Sequence, residues 1–206
     1  MKLLKLLAMA GLLILTSFFF FPFEFSFLPG MNTKMVMAGV GLVVLAFHFA
    51  RRGEIVPDKD FVGIVGLSLL VSVIGFAAIT YNSTNDYTYA TYFVSMAVWL
   101  GAAFVVVRAM GKVHGDVDVE LVCNYLIVLC TVQCLIAISM SYIPSLKSFV
   151  DSFLAGYGFM GKMDDRIYGI GCSLDVAGSR FCAVMMMVAE MMRRSARRGE
   201  IWKIYL

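Results

Sequence analysis

The stretch FVGIVGLSLLVSVIGFAAITY, residues 61–81, runs for 21 residues without a charged side chain. As a helix rising 1.5 Å per residue it reaches about 31 Å, which matches the hydrocarbon core of a bilayer. It predicts a transmembrane helix. Further apolar runs occupy residues 6–21, 35–50, 87–107, 121–143 and 176–192, with polar connectors such as 51–60 and 82–86 between them. The run at 35–50 is short, and residues 30–34 are expected to extend its helix outward. The run at 176–192 is interrupted by Arg180 and Glu190. Its length of about 25 Å needs tilt or local thinning to cross. The fold class that follows is all-α: a multipass transmembrane helix bundle of about six spans, forming one domain over residues 1–206.

Composition agrees. Apolar side chains make up 61% of the 206 residues and charged ones 15%, against about 25% charge in a soluble domain. An ordinary soluble domain is excluded, and so is intrinsic disorder, which needs low hydrophobicity and high charge. Nucleic-acid binding would need a basic surface patch, whereas the Lys and Arg residues here punctuate apolar runs. The five Cys form no CxxC. Cys123, Cys130 and Cys134 share one face of an apolar helix and read as small buried hydrophobes. His48 and His114 form no metal-spaced cluster, so no metal and no cofactor is expected.

The first run follows Lys2 and Lys5, as in a secretory signal, but no small-x-small cleavage site follows it. It continues instead into seven Phe within residues 18–27, the pattern of a membrane-interface belt. It is expected to remain as an uncleaved first span. With the N-terminus in the cytoplasm, the inner segments hold Lys2, Lys5, Arg51, Arg52, Lys59, Arg108, Lys112, Arg193, Arg194, Arg197, Arg198 and Lys203. The outer side holds Lys34, Lys147, Lys162, Arg166 and Arg180. Twelve against five obeys the positive-inside rule. Residues 82–84 match a glycosylation sequon, which matters only in a eukaryotic secretory route. Ser68, Ser72 and Gly75 form a small-residue ridge suited to close helix contact, and Gly39 with Gly41 suggests another. The fifteen Met, three of them at 185–187, read as adaptable apolar bulk.

One connector is long: the outer segment of residues 144–175. It opens with Leu146, Phe149, Val150, Phe153, Leu154 and Tyr157 on one helical stripe, and with Lys147 and Asp151 spaced i, i+4 on the other face. This predicts a helix over 146–157 lying in the outer membrane interface. Arg166, Asp175 and Arg180 then follow among Gly169, Gly171 and Gly178, at the mouth of the last span. An Arg fork grips phosphate bidentately and stays charged, and small residues admit a ligand close to the backbone. Arg inside a span is a functional candidate by default. Equally open is the structural alternative, with Arg180 snorkelling to headgroups and Arg166 paired with Asp164 or Asp165.

The segment Arg166-Ile167-Tyr168-Gly169-Ile170-Gly171, followed by Leu174-Asp175-Val176-Ala177-Gly178, resembles a signature of the O-antigen ligase and polymerase superfamily. The form is closest to capsular or O-antigen polymerases of Bacteroides-like bacteria. Where that family often has Asn-Pro, this chain has Leu174-Asp175-Val176. The resemblance implies an inner (cytoplasmic) membrane protein that transfers polyprenyl-diphosphate-linked glycan on the periplasmic face, beside other polysaccharide-assembly membrane proteins. It implies that Arg166, and next Arg180, hold the diphosphate, with Asp175 orienting an Arg or an acceptor hydroxyl. Family members have roughly ten to twelve spans and a second large outer loop, so the resemblance also implies an N-terminal portion of a longer protein, lacking part of the active site. Other classes stay open: a small non-enzymatic membrane protein that binds lipid or scaffolds a partner, and a transporter fragment. The transporter is disfavoured by the near absence of charge in spans two to five and of any internal repeat.

Overall fold

The computed structural model describes residues 2–52, 59–154, 167–171 and 174–198. Among them are seven helices: α1 (Lys2–Phe20), α2 (Thr33–Arg52), α3 (Lys59–Asn82), α4 (Tyr92–His114), α5 (Val119–Tyr142), α6 (Pro144–Phe153) and α7 (Leu174–Arg198). No strand occurs among the described residues; two isolated bridges join Glu24 to Asn32 and Phe25 to Leu154. Leu3–Phe20, Val62–Asn82, Tyr92–His114 and Val119–Tyr142 are each long and apolar enough to cross a membrane. In α2 the apolar part is the shorter Thr33–Phe47.

Several boundaries differ from the sequence reading. The helix expected from residue 87 begins at Tyr92, because Asp86 and residues 87–91 form turns: the Thr91 N–H donates to the Tyr87 carbonyl at 3.0 Å, and the Tyr92 N–H to the Tyr89 carbonyl at 3.2 Å. At its other end the helix runs past Arg108 and Lys112 to His114, since backbone hydrogen bonding continues where apolarity stops. The outward extension of α2 stops at Thr33. Gly30 has φ +84°, outside any right-handed helix, and residues 30–32 stay in the loop. α7 extends beyond 176–192 at both ends. Its Glu190 is bridged to Arg193 at 2.6 Å and to Arg194 at 2.8 Å, so the acid that interrupts the apolar run is neutralised by the basic turn after it.

The chain groups into two compact units. The mid-chain unit is Lys34–Val105; the terminal unit joins Met1–Thr33 to Val106–Leu206. Small residues organise the mid-chain unit, as their spacing predicts. Ser68, Ser72 and Gly75 are buried, while most other positions on α3 are exposed. The Ser72 hydroxyl accepts from the Phe93 N–H at 2.8 Å, satisfying one of the orphan donors in the first turn of α4. A Cβ on Gly41 would overlap the Gly101 carbonyl, so α2 and α4 meet there backbone to backbone. Gly39 plays no such part; its Cβ position faces open space.

In the terminal unit, α5 is the spine. Asp118 caps its start, accepting from the Leu121 N–H at 2.7 Å. At its other end Ile143 turns out of the helix and Pro144 opens α6, where a ring without an N–H costs nothing. Phe21, Leu126, Leu129, Cys130 and Val184 form one core cluster. Phe21 is therefore a core residue and not part of an interface belt. Cys123 and Cys130 are buried, and Cys134 is exposed.

Candidate functional site

The N-terminal half of α5 packs against helices, through Leu13 of α1 and Phe181 and Val188 of α7. The half toward Tyr142 packs against α6, through Leu146 and Val150, and also against chain that is not helical. Two segments do this. Residues 21–25 leave α1, and Phe23 reaches the cluster of Met140, Leu154 and Tyr168. Residues 167–171 descend the same side of α5. Tyr168 lies with Met140, the Ile170 carbonyl meets Gln133, and Gly171 meets Phe21. From Met140 back to Gln133 is about 10 Å along the helix axis, and Gln133 lies about 14 Å below Tyr142. Irregular backbone at that depth in a membrane helix layer must be enclosed by protein or face water, because its polar groups have no lipid partner. Tyr168, Gly169 and Gly171 are buried.

Polar side chains hold these segments in place. The Gln133 amide donates to the Ile170 carbonyl at 3.0 Å, and Gln133 is only 3% exposed. The Tyr168 hydroxyl meets both carboxylate oxygens of Asp151, at 2.9 and 2.8 Å, and the Lys147 ammonium lies 5.4 Å from the Tyr168 ring centroid. The i, i+4 spacing of Lys147 and Asp151 thus serves Tyr168 and not an ion pair between them. Residue 26 ties off the end of α6: its N–H donates to the Phe153 carbonyl at 2.9 Å and its hydroxyl to the Ser152 carbonyl at 3.1 Å. Thr33 does the same for α1, its hydroxyl donating to the Phe18 carbonyl at 2.9 Å.

The stripe expected over 146–157 is split. α6 ends at Phe153, because Leu154 turns to extended backbone and bridges to Phe25. Leu146, Val150 and Leu154 face the protein cluster. Phe149 and Phe153 point away from it, rings 5.0 Å apart, and are exposed. Tyr157 lies outside the described residues.

Of the predicted site residues, Arg166 lies outside the described residues, and Asp175 is placed only as the second residue of α7. Arg180 is the seventh residue of that helix. Its guanidinium carbon lies 5.9 and 5.8 Å from the ring centroids of Phe20 and Phe21, in cation–π range. Because Phe21 packs on Leu126, Leu129 and Cys130, Arg180 is level with the middle of α5. Gly171, at φ +70°, presses against the Phe21 carbonyl where a Cβ would overlap it. Gly178 instead faces open space on α7. The structure thus brings Arg180 and Gly171 to Phe21, keeps Gly169 buried two residues before Gly171, and leaves Gly178 exposed on α7. Sequence reasoning missed Gln133 and Tyr168. A buried amide in the middle of an apolar span is itself a signal; nothing in the sequence pairs Tyr168 with Asp151.

A helical membrane protein is what the fold defines: long apolar helices, with polar side chains inside serving buried backbone. No family of known proteins, no curated protein and no solved structure matches the chain.

Proposed function

We propose that the protein works in surface polysaccharide assembly in a bacterial inner membrane, binding a polyprenyl-diphosphate-linked glycan on the outer face. The proposed topology has six spans with the N-terminus inside: α1 to α5 and α7 cross, and α6 lies in the outer interface. The twelve-to-five basic asymmetry supports that orientation. The observation that carries the binding role is the position of Arg180, a permanent cation level with mid-α5, flanked by Phe20 and Phe21 and beside non-helical chain. An Arg within a membrane helix is a functional candidate, its planar fork fits phosphate oxygens, and a lipid diphosphate brings its charge to the membrane on an apolar tail. Arg166 is the second cation of the site and Asp175 an orienting group, both on the strength of the resemblance at 166–178. Polymerase and ligase chemistry share this binding step, and neighbouring assembly proteins are the proposed partners.

The test is titration of the full chain, in lipid nanodiscs, with undecaprenyl diphosphate and with undecaprenol, read by native mass spectrometry. The diphosphate is expected to bind and the alcohol not. Arg180→Ala and Arg166→Ala should each weaken binding about tenfold or more, and Arg→Lys should restore it only in part, since an ammonium keeps charge but loses the fork. Equal binding of alcohol and diphosphate, or unchanged binding in both alanine variants, overturns the reading.

A further inference from the structure

The connector between α3 and α4, with the helix ends that flank it, reads YNSTNDYTYATY over residues 81–92. Four of these twelve residues are Tyr, and all the rest but Ala90 carry a hydroxyl, an amide or a carboxylate. None is Lys, Arg or a branched aliphatic. Tyr81 is 87% exposed, Tyr89 65% and Tyr87 52%.

The backbone beneath them is fixed. Asp86 Oδ1 accepts from the Thr88 N–H at 3.0 Å and from the Thr88 hydroxyl at 2.6 Å. The Thr91 hydroxyl and N–H both reach the Tyr87 carbonyl at 3.0 Å. The Asn82 amide closes the last turn of α3 on the Ala78 carbonyl at 2.9 Å, and the backbone at Tyr89 and Ala90 lies against Gly75, where a Cβ would have no room. The polar side chains are largely spent on the loop itself. What the loop leaves outward, on a fixed backbone, is phenol rings.

We propose that this loop is a carbohydrate-binding platform, which takes a neutral oligosaccharide by stacking sugar rings on Tyr87 and Tyr89. The chemistry selects the ligand. A pyranose offers a flat C–H face to an aromatic ring and hydroxyls to its edge, and a Tyr offers the matching apolar face and polar tip. Tyr also gives large contact area at low conformational cost, so Tyr with Ser and Asn is the composition of recognition loops. A lipid headgroup is the competing partner, since Tyr also populates membrane belts. A belt loop, however, gains from Lys or Arg beside phosphates, and residues 81–92 have neither. The proposal goes beyond the lipid-diphosphate reading and stands without it, because a free sugar without lipid or phosphate is the ligand.

The experiment presents the full chain in nanodiscs, both faces accessible, to an array of neutral and acidic bacterial surface oligosaccharides. Hits are followed by saturation-transfer NMR. At least one neutral oligosaccharide is expected to bind with transfer from Tyr ring protons. Joint Tyr87→Ala and Tyr89→Ala substitution should weaken it about tenfold or more, the joint Phe variant much less. Tyr142→Ala, removing a more exposed Tyr on α5, should leave it unchanged. Thermal unfolding of each variant confirms that it folds. No binding across the array, unchanged affinity in the double alanine variant, or quenching of Tyr87 and Tyr89 by brominated lipid overturns the proposal; the last assigns the loop to the membrane interface.

Discussion

α3 and α5 are both 24-residue helices apolar enough to cross a membrane, yet they are held in opposite ways. α3 meets its neighbours by subtraction. Ser68, Ser72 and Gly75 remove bulk, and one hydroxyl caps the adjacent helix. α5 meets half of its surroundings by addition. Gln133 is a buried amide inside the apolar run, and it reaches out to backbone that no helix satisfies. The first device suits two regular helices, whose backbones need nothing from each other. The second is required once irregular chain enters the helix layer, because each buried carbonyl must find a donor. Irregular backbone enclosed in that way distinguishes the terminal unit, where side chains of one segment must serve the main chain of another.

If that contrast is right, the largest effect comes from Gly171→Ala. The added Cβ meets a left-handed backbone and the Phe21 carbonyl together. A cost of about 2–5 kcal/mol follows from strain plus overpacking. The same change at Gly39, which faces open space on α2, should be neutral or slightly stabilising through helix propensity. Thermal unfolding in detergent compares the two. Equal melting temperatures would show that residues 167–171 are not locked against Phe21.

Gln133→Leu ranks next. It removes the donor to a buried carbonyl at Ile170 and keeps the volume roughly constant, with an expected loss of about 1–3 kcal/mol. Hydrogen exchange should rise in residues 167–171 while the mid-chain unit is unchanged. A ladder of this kind distinguishes a pinned segment from one that merely lies on the helix. Ser72→Ala, the counterpart in the mid-chain unit, should cost about 1 kcal/mol, as caps do. Its effect should be confined to the start of α4.

The physical reason for what the sequence revealed lies in the same contrast. The apolar runs and the Ser68–Ser72–Gly75 ridge are local, periodic patterns: each run lies mainly in a helix, four of the helices are long and apolar enough to cross a membrane, and the ridge is buried. The end of α4 escaped because helices do not stop at Arg108 or Lys112 when their hydrogen bonds can continue. The end of α6 escaped because it is set by Phe25 and Ser26, more than 120 residues earlier in the chain. The site followed suit. Arg180 is visible as a charge inside an apolar run, whereas Tyr168 with Asp151 and Gln133 with Ile170 are pairings between segments, and no spacing rule reports them.

The smallest effect concerns an exposed side-chain turn in the mid-chain unit, Asp86 with Thr88. The two hydrogen bonds from Thr88 hold the Asp86 carboxyl below the usual carboxylate range, because they favour its charged form. A group whose folded pKa is depressed contributes stability above its ordinary pKa and loses it as pH falls through the lowered value. The loop at 82–91 should therefore keep its order through neutral and mildly acidic pH and loosen only below about pH 4. Exposure makes the contribution small, so the readout must be local: the Thr88 amide should exchange faster, relative to intrinsic rates, at pH 3 than at pH 6. Asp86→Asn should show the faster exchange at both pH values. The irregular segment at 167–171 offers the contrast, since a neutral amide at Gln133 holds Ile170, and its protection should not change over the same range. An Asp86→Asn variant that retained the wild-type pH dependence would show that another group sets the loop, and the fixed platform beneath Tyr87 and Tyr89 would need a different anchor.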